Sequence, residues 1–142
     1  MQLTTTNKNL ILLRRLEKLL PHHLEKAQEI IATSFVWHYF NSTLPEITGR
    51  YVGLSGLQAF FQKLNFLTQG TFRVQTQQVI PVGEDLVVVH VSSSMMFAGQ
   101  SVELDAVIVW QIVGDRITEA WDVPSIFTTK SLNRTAQTPE AA

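Results

Sequence analysis

The stretch "IVWQIVGDRITEAWDV", residues 108–123, decides how the chain folds. Two runs of β-branched and aromatic residues flank Gly114-Asp115, and a Gly-Asp pair in that setting marks a two-residue hairpin. With that loop, Val113 faces Arg116, Gln111 faces Thr118, Val109 faces Ala120 and Val107 faces Asp122. Opposed residues share a face, and side chains alternate along each strand. The spacing therefore predicts Asp122 on one face with Asp105, Val107 and Val109. Ile108, Trp110, Ile112, Ile117, Trp121 and Val123 fall on the other.

Further strands precede this hairpin. "DLVVVHVSSSMMF" (85–97) is a long β run, and "TFRVQTQQVIPV" (71–82) is another. A two-residue loop at Ala98-Gly99 or Gly99-Gln100 adds Val88, His90 and Ser92 to the Asp122 face. It adds Val87, Val89 and Val91 to the tryptophan face; a three-residue loop swaps the sets. The two-residue loop makes the tryptophan face consistently apolar and is preferred.

Helices lie upstream. Leu12, Leu16 and Leu19 recur at helical spacing in residues 8–20, and residues 22–32 continue as a second helix after Pro21. "SFVWHYF" (34–40) reads as a short strand, and residues 41–54 as a loop. A third helix starts at Ser55, with Gln58 completing a capping box and Leu57, Phe60, Phe61 and Leu64 on one side. The order is helices, a short strand, a helix and a long meander. That predicts α+β, with helices on one side of a curved sheet. Residues 1–127 form a single domain, and 128–142 read as a loose tail.

Composition bounds the function. Only 16% of residues are charged, against about 25% in ordinary domains, which hints at a buried subunit contact. The 11 basic and 12 acidic residues give a net charge of −1 with no basic run, so no nucleic-acid footprint is expected. Cysteine is absent, which excludes disulfides and thiolate chemistry. No spacing suits a metal site and no glycine-rich phosphate loop occurs, so no cofactor is expected. The N-terminus lacks a signal-peptide pattern, and no apolar run reaches the ~18 residues of a membrane span. A soluble cytoplasmic protein, with no membrane partner, is the expectation.

Both sheet faces are largely hydrophobic, yet the helices can cover only one. In one arrangement the face carrying His90, Ser92, Asp105 and Asp122 lies under the helices as a ligand cavity. The tryptophan face then meets a second subunit. In the other, the tryptophan face is the core and the mixed face is wet. Periodicity alone leaves both open.

Three stretches carry a resemblance: "FVWHYF" (35–40), "LPEITGRYVGLSGLQAFFQKL" (44–64) and "IVWQIVGDRITEAWDV". Together they resemble the nuclear-transport-factor-2-like superfamily and, within it, the SnoaL-like polyketide-cyclase group. The resemblance spans about residues 8–127. It implies a cone-shaped α+β barrel, with helices packed in the concave side of a strongly curved, mostly antiparallel sheet and a pocket at the mouth. It also implies homodimers through the outer sheet face. That favours the mixed face inside, with Ile108, Trp110 and Trp121 at the dimer contact.

In the cyclases of that group the aspartate of the Trp-Asp motif is the general base of a cofactor-free aldol closure. Asp122 matches that position. A carboxylate in an apolar cavity has a raised pKa and is a better base. Asp105 would be the second acid, and His38 or His90 would polarise a carbonyl oxygen. Tyr39 is a candidate oxyanion donor, with Phe61, Ser92, Val107 and Val109 lining the pocket. His38 also reads as a core histidine satisfied by backbone, and His90 as a half-exposed sheet residue. Two functions follow. One is a cofactor-free isomerase, cyclase or dehydratase acting on a hydrophobic oxygenated small molecule. The other is a non-catalytic ligand-binding or dimeric interaction module. A buried Asp122 facing a polar donor favours the first; a wholly apolar or filled cavity favours the second.

Overall fold

The computed structural model describes residues 5–125; the tail expected at 128–142 lies outside them. Helix α1 (Thr5–Leu19) and a 3-10 turn (Leu24–Ala27) lead into strands β1 (Ile31–Tyr39) and β2 (Gly49–Val52). Helix α2 (Gly53–Leu67) follows. Then come β3 (Arg73–Val82), β4 (Leu86–Phe97), β5 (Gln100–Val113) and β6 (Arg116–Pro124). The six strands form one open sheet in the order β2-β1-β6-β5-β4-β3. Every pair is antiparallel except β1–β6, which is parallel. The expected α+β class is what the chain adopts: two helices packed on one face of a mixed sheet, consistent with the cone fold.

Three local readings change. Residues 22–32 are not a helix, because β1 begins at Ile31, pairs with Ile117, and Ile117 donates to the Ile30 carbonyl at 2.8 Å. Sheet pairing outweighs the helical spacing there. Residues 49–52, expected as loop, pair with β1 as a short edge strand. Helix α2 starts at Gly53 with Val52 at its N-cap and no side-chain cap, so Ser55 sits inside the first turn and forms no capping box.

The meander turns decide the faces. The β4–β5 loop is Ala98-Gly99, with φ of 53° and 78°, as a primed two-residue turn requires. It pairs Val88 with Val109, His90 with Val107 and Ser92 with Asp105, on one face as expected. The β5–β6 hairpin opens with Val113 opposite Arg116 and Ile112 opposite Ile117. Gln111 then faces Glu119, so Thr118 is an extra residue, a β-bulge. Its hydroxyl lies 3.2 Å from the Gln111 carbonyl and 3.0 Å from Gln111 Oε1, pinning the bulge. Beyond it Val109 faces Trp121 and Ile108 faces Asp122. Asp122 and Trp121 have exchanged faces relative to a regular hairpin.

The side under the helices is also the reverse of the expected one. Trp110 is 2% exposed, and Val87, Val89, Val91 and Ile112 are buried beside it. Trp37 of β1 bridges Trp110 and Phe60 of α2, with ring centroids 5.5 and 5.4 Å away. His90, Ser92, Asp105, Val107 and Val109 face outward. Trp110 and Ile108 therefore belong to the core side and cannot form an outer-face contact. Burying the all-apolar, aromatic side removes more hydrocarbon from water than burying the mixed side.

Trp110→Ala is expected to destabilise the fold by about 3–5 kcal/mol. His90→Ala, on the outer face, should cost less than about 1 kcal/mol. Urea melts of the two variants check the assignment, and an inverted order contradicts it.

Candidate functional site

The site is built where β1 and β6 run side by side. Their parallel register sets Trp37 beside Ala120 and Tyr39 beside Asp122. These alternate positions point beneath the helices; Trp37, Tyr39 and Ala120 are all buried. Phe60 closes over them from α2, its ring 5.4 Å from Trp37, 4.8 Å from Tyr39 and 5.3 Å from Tyr51.

Asp122 is half-buried as a residue, but its Oδ1 is sealed from solvent and has no hydrogen-bond partner among the described residues. Loss of hydration penalises the ionised form, and burial raises its pKa to about 7. Across the strand pair, the Tyr39 phenol is pushed up to about 12. Burial is the main cause; the Asn41 hydrogen bond opposes it and the Asp122 charge adds to it. Tyr39 therefore keeps its proton at neutral pH.

The direction of that proton follows from Asn41. The Thr43 backbone N–H donates to Asn41 Oδ1 at 2.9 Å, so the other end of the amide is its NH₂. That Nδ2 lies 3.2 Å from the Tyr39 oxygen and donates to it. The phenol oxygen is an acceptor there, and its own proton is free to donate elsewhere. Thr48 fixes the Asn41 backbone, its hydroxyl 2.9 Å from both the N–H and the carbonyl. Before folding, Asn41 looks like an ordinary polar turn residue in "FNST"; its one distinguishing sign is its place two residues after Tyr39.

The remaining candidates lie elsewhere. His38 alternates with Trp37 and Tyr39 and so faces outward, with Nε2 2.6 Å from Glu119 and its ring stacked on Trp121 at 5.5 Å. His90 is also on the outer face, 2.8 Å from Asp105. Ser92, Val107 and Val109 share that side. None of these six residues shares a face with Asp122: the bulge moved Asp122 away from the β4 and β5 candidates, and His38 faces outward by alternation with Trp37 and Tyr39 on β1. Phe61 is under the helices, 6.2 Å from Trp37. It lines a cleft of about 240 Å³ between Pro21–Glu25 and α2, whose walls include neither Tyr39 nor Asp122. Among the described residues no group of three or more His, Asp or Glu is placed to hold a metal, and no helix is long and apolar enough to cross a membrane.

The Asp122 pKa has a stability consequence. In the unfolded chain the carboxyl ionises near 3.8, and in the fold near 7. The native state holds the proton more tightly, so Asp122's contribution is complete below about pH 4 and is lost as pH rises to about 7. The full swing is on the order of 4 kcal/mol. Urea melts from pH 4 to 8 should show this decline, and Asp122→Asn should remove it.

A family model described as a SnoaL-like domain matches residues 14–120 and stops just short of Asp122. No curated protein matches significantly. Among solved structures, Bal32a from a soil-derived mobile gene cassette superposes with a TM-score of 0.77 at 16% identity, covering 93% of this chain and 98% of its own. TerC, co-crystallised with polyporic acid, has a TM-score of 0.72 at 18% identity, over 92% of this chain and 99% of that one. A candidate SnoaL-like polyketide cyclase from Jannaschia sp. CCS1 reaches 0.67 at 16% identity, over 88% and 90%. At such identities the structural likeness shows the fold alone. The family match covers most of the sequence, and the chain belongs to the SnoaL-like domain family of the nuclear-transport-factor-2-like superfamily.

Proposed function

We propose that the protein is a cofactor-independent proton-transfer enzyme for a hydrophobic, oxygenated small molecule. The observation that carries this reading is the sealed, unpartnered Oδ1 of Asp122 among aromatic side chains. Asp122 removes a proton from the carbon next to a ketone. The electron pair moves onto the carbonyl oxygen, and the free Tyr39 hydroxyl donates to the enolate that forms. Asn41 positions Tyr39 for that donation. The partner polarising the carbonyl is thus Tyr39, since His38 and His90 lie on the other face. Reprotonation at another carbon gives isomerisation, attack on a second carbonyl gives cyclisation, and expulsion of a hydroxyl gives dehydration. The polyporic acid of TerC is in keeping with an aromatic, oxygenated ligand.

We also propose a homodimer through the outer sheet face, with the contact residues revised. Trp121 lies there, and Val107, Val113 and Val123 are 40%, 52% and 60% exposed. Ile80 and Val82 extend the apolar strip on β3. A second copy of the same face is the simplest cover, since a two-fold contact is self-complementary.

Exchange of the α-protons of 2-tetralone in D₂O, followed by NMR, tests the chemistry. The wild type should accelerate exchange, with a rate rising through pH about 7 to a plateau as Asp122 ionises. Asp122→Asn should lower the rate by about 10²–10⁴-fold, and Tyr39→Phe by about 10²-fold. Full exchange in Asp122→Asn, or none above buffer in the wild type, removes the catalytic reading. For the assembly, sedimentation should give a dimer that Val107→Lys converts to a folded monomer; a monomeric wild type refutes the contact.

A further inference from the structure

Charge is unevenly shared along the chain. Residues 1–70, which hold both helices with β1 and β2, carry seven Lys and Arg and four Asp and Glu. Residues 71–125, the β3–β6 meander, carry two and seven. The net charge of −1 therefore hides a cationic N-terminal half and an acidic meander. Four of the cations, Lys8, Arg14, Arg15 and Lys18, lie on α1, and all four are exposed. None of them forms an ion pair among the described residues, where the salt bridges are His38–Glu119 and His90–Asp105. The reaction proposed at Asp122 uses none of the four.

Helix geometry gathers these charges. With about 3.6 residues per turn, Arg14, Lys18, Ile11, Arg15 and Lys8 fall in that order across one arc of about 120°. Leu12, Leu13 and Leu16 occupy the opposite side and are buried. Asn9 Nδ2 donates to the Glu84 carbonyl at 2.7 Å and ties α1 to the β3–β4 turn. The arc is thus held outward. No acid among residues 8–19 falls inside it; Glu17 sits at its border, close enough to Arg14 for the two charges to interact. Ile11, 47% exposed, lies at the middle of the arc. Lys18 also meets the negative end of the helix dipole, a role that Lys8, Arg14 and Arg15, outside the last turn, do not share.

Three kinds of anionic surface could meet such an arc. A lipid surface needs an apolar helix face to enter the acyl boundary, and α1 has already committed that face to the core. A nucleic acid offers phosphates to the cations but nothing apolar to Ile11, and the acidic meander repels the rest of a long duplex. A protein surface supplies both, since an apolar centre with a charged rim is the ordinary make-up of a protein–protein contact. The cations span roughly 15 Å of helix, which suits a second helix laid across α1. We infer that the outward arc of α1 docks an acidic amphipathic helix of a partner protein, whose carboxylates meet Lys8, Arg14, Arg15 and Lys18 around an apolar side chain seated on Ile11. The arginines can hold carboxylates in paired hydrogen bonds, which fixes direction as well as attraction. One helix face is a small contact, at the weak and transient end of interfaces, and its charges make it salt-sensitive. The contact is independent of the reaction proposed at Asp122.

Titration of the ¹⁵N-labelled full chain with a synthetic acidic amphipathic helix of about 18 residues, or roughly 27 Å, tests this. The probe carries glutamates on either side of a leucine stripe. Amide shifts should centre on α1, and affinity should fall by about tenfold or more between about 50 and 300 mM salt. Lys8→Glu combined with Arg15→Glu should weaken binding by at least about tenfold and leave the urea melt in place, since both side chains are exposed. Ile11→Ser should weaken it by about threefold to tenfold. Lys26→Glu, an exposed cation outside α1, should bind as the wild type does. Shifts centred on another face, no binding at millimolar probe, or a charge reversal on α1 without effect overturns the inference. So does unchanged affinity in Ile11→Ser, or an equal loss in Lys26→Glu, either of which reduces the contact to diffuse attraction. Tighter binding to phosphatidylcholine vesicles with about a quarter phosphatidylglycerol, or to a DNA duplex of about 20 base pairs, overturns it in favour of a lipid surface or a nucleic acid.

Discussion

Side chains alternate along a strand, so the one extra residue at Thr118 reverses every position that follows it on β6. The rest of the site depends on that reversal. With a regular hairpin, Trp121 would enter the space beneath the helices and Asp122 would join the outer face. The bulge places Ala120 and Asp122 inside instead, level with Trp37 and Tyr39 on the parallel neighbour β1. A bulky ring is exchanged for a methyl group and a carboxylate. The device is local and held locally, by the Thr118 hydroxyl against Gln111. Bulges of this kind recur where a sheet must re-aim a side chain.

Holding a carboxylate there opposes folding at neutral pH, since the charged form loses its water and gains no hydrogen bond at Oδ1. Something else must supply the stability. The aromatic cluster does so: Trp37 contacts the rings of Phe60, Phe61 and Trp110, Phe60 contacts Phe61, and Tyr39 and Tyr51 join through Phe60. Burial beside Tyr39 at the edge of this cluster raises the Asp122 pKa. Core and site are thus one structure, and a change that loosens the cluster also moves the acid toward its ordinary titration.

Much of the fold was legible before any coordinates. Period-two runs separated by Gly114-Asp115 and by the turn around Ala98-Gly99 specify the meander; the first turn fixed its loop length, whereas the second was preferred at two residues because that kept one face apolar. Three stretches together carried the family resemblance, and the Trp-Asp ending of the last one carried the candidate Asp122. Which face turns inward was not legible. Val87, Val89 and Val91 alternate with Val88 and His90, so both sides of β4 look buriable. The bulge carries no signature either: Thr118 is a common strand residue, and its surplus shows only in the register of β6 against β5. Residues 22–32 failed for a related reason, as Ile30 and Ile31 fit a helical stripe and a strand equally well.

The two aspartates of this sheet show why composition could not rank them. Asp105 and Asp122 both lie in β-branched runs near the same end of the sheet, where the Ser125 N–H donates to the Asp105 carbonyl at 2.8 Å. Asp105 turns outward, its side chain 70% exposed and 2.8 Å from His90. It is open to solvent and hydrogen-bonded to a neighbouring imidazole. Asp122 turns inward, its Oδ1 sealed from bulk solvent and without a hydrogen-bond partner among the described residues. Chemistry follows the environment rather than the residue type. The histidines drew attention in the sequence as groups able to polarise a carbonyl oxygen, yet His38 and His90 each lie on the outer face beside a carboxylate. A buried base needs a donor inside the same enclosure, and Tyr39 is oriented for that by an amide whose own direction is fixed by Thr43.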